Sequence, residues 1–168
     1  MKKFIAIILT ALCILSLASC GGSEEKANKI TKSADEIRET LSKEFDLSDL
    51  DLLTNEDEFV DNILFIYGVS GELKDSVESF FITNTHRSTD ARAIAVFKMK
   101  EGAEDKVADL KNGLNNTFLA NLVNMTATYD PEQAKIANSA TIKTYDNAVV
   151  LVSYDPEDNS KIIEAIEG

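Results

Sequence analysis

Four consecutive aliphatic residues, Val149-Val150-Leu151-Val152, constrain this chain most. β-Branched side chains favour extended backbone, and successive residues of a strand point to opposite faces. Within a strand over residues 148–154, Val149–Val152 is therefore apolar on both faces, as for a central strand. Asp146-Asn147 just before them is a tight-turn pair, and residues 140–145 supply the other arm of a hairpin. A central strand needs a second neighbour. Residues 77–84, with Val77, Phe80, Phe81, Ile82 and Thr83, and residues 92–99, with Ile94, Val96 and Phe97, read as a second hairpin. The polar stretch Thr85-His86-Arg87-Ser88-Thr89-Asp90 connects its strands.

Helical periodicity surrounds these strands. Ile30, Ala34, Ile37, Leu41 and Phe45 recur three or four residues apart, which places them on one face of a helix over residues 27–45. Thr54-Asn55-Glu56-Asp57 resembles a capping box, with a short helix following through Asp61. Ile63-Leu64-Phe65-Ile66-Tyr67 fits either a strand or a buried helix end, and Gly68 and Gly71 mark the turn after it. Gly102 opens a longer helix that carries Val107, Leu110, Leu114, Phe118, Leu122 and Met125 at helical spacing. Asp130-Pro131 breaks it, because the residue before proline disfavours the helical region. Residues 132–138 then form a short helical turn, and residues 160–167, with Ile162, Ile163 and Ile166, form a last helix. The expected fold class is α+β: an antiparallel sheet of about four strands with helices packed on one face, preceded by an N-terminal signal peptide and an amphipathic helix. After residue 75 the order strand, strand, helix occurs twice, although the residues themselves do not repeat clearly.

The N-terminus carries an address. Lys2 and Lys3 precede an apolar run from Phe4 to Leu17, the n-region and h-region of a secretory signal. The run falls short of the roughly 20 residues that span a bilayer. Leu17-Ala18-Ser19-Cys20 closes it and resembles the lipobox of bacterial lipoproteins. In that family the thiol receives a diacylglyceryl thioether and the signal is cut before the cysteine. Ala18 and Ser19 are small enough for a narrow peptidase cleft, and Cys20 is the residue there that can form the thioether. The expected organisation is a signal peptide over residues 1–19, a flexible tether over 20–29 that includes Gly21-Gly22-Ser23-Glu24-Glu25, and one α+β domain over 30–168. The second cysteine, Cys13, lies within the signal, so disulfides do not staple the mature domain.

Charge excludes some partners. The chain of 168 residues has a formal charge of -12, and loss of Lys2 and Lys3 takes the remaining residues 20–168 to -14. Nucleic acid is disfavoured, because phosphate binding draws on Lys and Arg to release counterions. Electrostatic docking on an anionic membrane is disfavoured for the same reason.

No catalytic constellation, cofactor motif or metal spacing emerges. His86 is the one histidine, and a general base needs an orienting carboxylate and a nucleophile within reach. Gly68-Val69-Ser70-Gly71 lacks the glycine two residues after serine that a nucleophile elbow requires. Asp155-Pro156-Glu157-Asp158-Asn159-Ser160 lacks the sixth-position glycine of a calcium loop, and Ile166 stands where its bidentate glutamate belongs. Glu56-Asp57-Glu58 and Asp61 read as capping and solvated charge. Against so acidic a background, the basic residues His86, Arg87 and Arg92 around the first hairpin are the candidate binding spot for an acidic group or a partner loop, with Lys98 and Lys100 at the far end of the second strand. Tyr67, Tyr129, Tyr145 and Tyr154 all sit near element ends, where core-rim packing and ligand stacking both fit.

Three segments carry a family resemblance: Ala93-Ile94-Ala95-Val96-Phe97-Lys98 with its following turn and helix, Tyr129-Asp130-Pro131-Glu132-Gln133, and the closing hairpin with Tyr145 and Val149–Val152. They resemble a domain of unknown function found in small surface lipoproteins of bacteria, chiefly Gram-positive anaerobes, over roughly residues 30–167. Family members often carry Glu where this chain has Ala93. The resemblance implies a lipid-anchored α+β domain outside the cell and supplies no catalytic residue. The expectation is a lipid-anchored extracytoplasmic binding or accessory module without catalysis or cofactor. It is held to the membrane through Cys20, meets a protein or envelope partner, and does not bind nucleic acid. The alternatives are a small-ligand-binding lipoprotein serving a transporter, which calls for an apolar pocket with converging polar groups, and a small envelope enzyme, which calls for His86 beside a carboxylate.

Overall fold

The computed structural model describes residues 28–85 and 90–168. In chain order, helix α1 (Ala34–Glu44) is followed by strand β1 (Asp51–Thr54), helix α2 (Val60–Ile66), a single helical turn α3 (Glu72–Asp75), and strands β2 (Val77–Asn84) and β3 (Ala93–Met99). A 3-10 turn (Glu104–Lys106) leads into α4 (Val107–Gly113), a π-helical turn (Leu114–Leu119), α5 (Ala120–Tyr129) and α6 (Pro131–Ser139). The hairpin β4 (Thr141–Tyr145) and β5 (Ala148–Ser153) and the helix α7 (Asn159–Glu167) complete the chain. Among the described residues the strands form one antiparallel sheet in the order β1-β2-β3-β5-β4.

The class is the α+β arrangement that the patterning predicts, and the closing hairpin turns at Asp146-Asn147 as expected. The helical cover differs. Val149 and Leu151 join Phe80, Ile82, Ala95 and Phe97 in a core closed by Leu64, Tyr67, Val107, Leu110 and Leu114. Val150 and Val152 join Phe81, Ile94 and Val96 in a second core closed by α1, through Ala34, Ile37 and Leu41, and by α7, through Ile162, Ile163 and Ile166. Helices therefore pack on both faces of the sheet, not on one. The cause is the double apolar face of β3 and β5: with one side wet, Phe81, Ile94, Val96, Val150 and Val152 would meet water, at about 1.5–3 kcal/mol for each large side chain.

A fifth strand also exceeds the expected count. β1 begins in the stretch 46–53, where acids alternate with leucines at the two-residue period of a half-buried strand. Its register sets Leu53 opposite Ile82 and Leu52 opposite Thr83.

Helix α1 begins later than periodicity alone suggests. Ser33 Oγ accepts from Glu36 N at 3.2 Å, and Glu36 Oε2 accepts from Ser33 N at 2.7 Å. This reciprocal capping box sets the start at Ala34. The residues before it, which belong to the expected helix over 27–45 and in part to the expected tether, are tied to the β4–β5 turn. Asp146 N donates to Asn28 O at 2.9 Å. The Asn147 amide both accepts from Ile30 N and donates to Ile30 O, each at 2.9 Å.

The long helical run and α2 meet at two glycines. A Cβ on Gly113 would lie 2.5 Å from Gly68 O, so only hydrogen at both positions allows the approach. Beside this contact Tyr67 stacks on Phe118 with ring centroids 4.1 Å apart. At the next bend Asp130 accepts from Glu132 N and Gln133 N, with Pro131 in the first turn of α6, so the expected break and the short helix after it share one cap.

Candidate functional site

The basic residues singled out by the sequence surround the β2–β3 connection. His86 and Arg87 lie outside the described residues, as do Leu17, Ala18, Ser19 and Cys20. Arg92 stands at the entry to β3 and is enclosed by acids. Its Nη1 and Nη2 donate to the two carboxylate oxygens of Asp49 at 3.2 and 2.6 Å. Its Nε and Nη2 donate to those of Asp90 at 3.1 and 2.8 Å. The guanidinium carbon also sits 6.0 Å from the Tyr154 ring centroid. Hydrogen bonds donated to Asp90 and then to Asp49 push the arginine's pKa further up from its already high ordinary value. One cation shared by two carboxylates is a tie between the loop before β1 and the start of β3. It is not an open receptor for an anion. Lys98 and Lys100 are spent at the opposite end of β3, where their Nζ atoms donate to Lys32 O at 2.8 Å and to Asp75 O at 2.6 Å.

The tyrosines divide by burial. Tyr67 is buried, its hydroxyl accepts from Asn84 Nδ2 at 2.7 Å, and burial pushes its pKa up. Tyr145 is also buried and donates to Glu167 Oε1 at 2.8 Å; burial first and the carboxylate second push its pKa up. Tyr154 donates to Asp46 O at 3.1 Å, while Tyr129 is 73% exposed. A cleft of ≈ 120 Å³ beside the Tyr67–Asn84 bond is lined by Asn84, Ala91, Phe118, Leu122 and Met125 among others. It falls well below the roughly 300 Å³ at which small-molecule sites begin.

The acidic segments hold turns and pair with lysine. Asp155 Oδ1 accepts from Glu157 N at 3.0 Å, Asp158 accepts from Lys161 Nζ at 2.6 Å, and buried Asn159 accepts from Tyr154 N at 2.9 Å while donating to Ser139 O at 3.0 Å. Among the described residues no three His, Cys, Asp or Glu side chains are placed to hold a metal ion. No described helix is long and apolar enough to cross a membrane.

Two open grooves flank β1, which no motif had marked. Thr54 N and Oγ1 donate to Asp57 Oδ2 at 2.6 and 3.1 Å, so the Thr54 N–H faces away from β2. Antiparallel ladders alternate between bonded and non-bonded pairs, so the N–H and C=O of Leu52 also face the open edge. On the α1 side a groove of ≈ 710 Å³ is lined by Arg38, Glu39, Leu52, Thr54, Glu56 and Glu78, among others. On the α2 side a groove of ≈ 430 Å³ is lined by Leu52, Leu53, Asp57, Glu58, Ile63 and Ile66, among others. Leu52 is 42% and Ile66 56% exposed. The signal that marks this edge in the sequence is the alternation of Leu and Asp before Thr54.

Neither a curated protein nor a solved structure matches the chain. A family model, described as a domain of unknown function (DUF4358), matches residues 48–154. That span holds the whole sheet and the helices α2 to α6, while α1 and α7, which close the second core, lie outside it. With well over half of its residues inside the match, the chain belongs to the DUF4358 family.

Proposed function

We propose that this chain is a lipid-anchored extracytoplasmic binding or accessory module, held at a membrane surface through Cys20. The observation that carries the reading is Leu17-Ala18-Ser19-Cys20, placed directly after Lys2, Lys3 and an apolar run too short to span a bilayer. Two or three acyl chains on one cysteine anchor stably where one binds only marginally. Tethering then raises the local concentration for a partner, so weak contacts suffice. The seat of Asn28 on the β4–β5 turn supports the arrangement, because the chain enters the domain at the β4 side and leaves the β1 edge four strands away.

Cys20→Ala tests the anchor. The variant is expected to accumulate as uncleaved precursor and to take up no labelled fatty acid. Normal cleavage with membrane retention in this variant overturns the proposal. Cross-linking in intact cells tests the binding role, with one reproducible membrane complex as the expected capture. A spread of non-specific captures with no dominant species counts against it.

A further inference from the structure

We infer that the β1 edge is a docking site for an extended segment of a partner protein that alternates basic and apolar side chains, adding as a sixth strand beside β1. The inference rests on the binding role proposed above and is independent of the lipid anchor. Three observations converge on it. First, the N–H and C=O of Leu52 face the open edge, the geometry by which an added strand gains main-chain hydrogen bonds. Second, open grooves lie on both sides of β1, so an incoming strand places alternate side chains into each. Leu52 is common to both grooves, and Leu53, Ile63 and Ile66 supply apolar wall on the α2 side.

Third, the charge is one-sided. The α1-side groove carries Asp35, Glu39, Glu56 and Glu78 against Arg38, whose own nearest carboxylate is Asp35 at 3.8 Å. The described lining of the α2-side groove includes Asp57 and Glu58 and no Lys or Arg. Edge strands are commonly blunted by lysine, which repels further pairing. The opposite edge follows that habit: Lys143 on β4 is engaged with Glu167, and the turn after β4 is occupied by Asn28. β1 carries no lysine, and the acids of the two grooves repel a second acidic copy of this chain and attract a cationic strand.

The test uses the full chain purified in detergent and a synthetic peptide of about ten residues alternating Lys and Val. Binding is read by fluorescence anisotropy at low salt. A Glu–Val counterpart is expected not to bind, and methylation of alternate amide nitrogens on one edge of the Lys–Val peptide is expected to abolish binding. Leu52→Lys is expected to remove binding with melting temperature unchanged. Where that variant fails to fold, Glu56→Lys with Glu58→Lys on the exposed rim is expected to weaken binding about fivefold or more, the loss of two surface charge pairs. Equal binding of both peptides, binding insensitive to amide methylation, or no binding overturns the inference. Self-association of the chain that Leu52→Lys abolishes also overturns it, by making the occupant a second copy. None of these results bears on fatty-acid labelling of Cys20, so the two proposals fail separately.

Discussion

Gly113→Ala is expected to destabilise the chain, although helix propensity by itself says the reverse. Gly113 has helical dihedrals, φ -58 and ψ -53. In such a position alanine is better than glycine by about 0.8–1.0 kcal/mol. The neighbour decides the sign. The added Cβ would lie 2.5 Å from Gly68 O and 3.3 Å from Gly68 C. That neighbour is backbone, held by Gly68 N on Phe65 O at 3.0 Å and by Val69 N on Leu64 O at 2.9 Å, so it has no flexible end to swing away. Overpacking of this kind costs about 1–3 kcal/mol. The net expectation is a loss of up to about 2 kcal/mol, or a fall in melting temperature of up to about 8 °C for a chain of this size. Gly102→Ala is the control. Gly102 has φ 83 with nothing within 4 Å of the added atom, so that variant carries backbone strain alone, about 1–2 kcal/mol. Gly68→Ala combines φ 78 with the same 2.5 Å approach and is expected to be the worst of the three. Urea titration followed by far-ultraviolet circular dichroism gives the ranking, and an unchanged slope shows that the denatured state is not the cause. A Gly113→Ala variant as stable as the parent, or more stable, refutes the reasoning. The contact also sets where α2 sits, so Gly113→Ala is expected to weaken peptide binding at the β1 edge without altering any residue of either groove.

Asn147→Ala removes both hydrogen bonds to Ile30, for a loss of about 2 kcal/mol at roughly 1 kcal/mol each; hydrogen exchange of the Ile30 amide is expected to accelerate, and an unchanged rate rejects the clasp. Arg92→Met withdraws the cation shared by Asp49 and Asp90, and Asp90 has only 9% of its side chain exposed. A loss of about 1–3 kcal/mol is expected in urea titration, and a neutral variant would return Arg92 to the set of free surface charges. Glu167 is held below its ordinary carboxyl value by Lys143 first and Tyr145 second. A lowered folded pKa contributes stability above the unfolded value of about 4.5 and loses it as pH falls through the folded value. The stability gap between the parent and Glu167→Gln is therefore expected to shrink as pH falls below about 4.5. The group is 37% exposed, so the effect is modest, and parallel pH profiles would sink it.

Signals that are local in the chain were legible in the residues. β2, β3 and the β4–β5 hairpin appear as apolar runs bounded by turn residues. The long helix appears through its spacing, and the α5–α6 bend through Asp130-Pro131. The start of α1 is also written locally, in Ser33 and Glu36 three residues apart. Other features carry little or no local trace. Arg92 reads as a free cation, because Asp49 is 43 residues away and no spacing rule joins the arginine to it or to Asp90, two residues before it. β1 leaves a weak trace, the acids alternating with leucines before Thr54, but at four residues it is too short for periodicity to separate it from loop. Phe118 and Met125 share the helical spacing of Leu110 and Leu114, yet Phe118 is half-buried and Met125 is 39% exposed. The π-helical turn between Gly113 and Ala120 changes the rotation per residue there, and a face extrapolated at 3.6 residues per turn drifts off the core.

By itself, then, the sequence determined the class of fold, the central place of β5 and the thiol-free core, because backbone propensity and pleat alternation act between near neighbours. Only the tertiary structure decided that helices cover both faces, that Gly68 and Gly113 touch, and that β1 has a single neighbour among the described strands. Those outcomes depend on which distant surfaces exclude water from one another, and burial is settled by the whole assembly of elements at once.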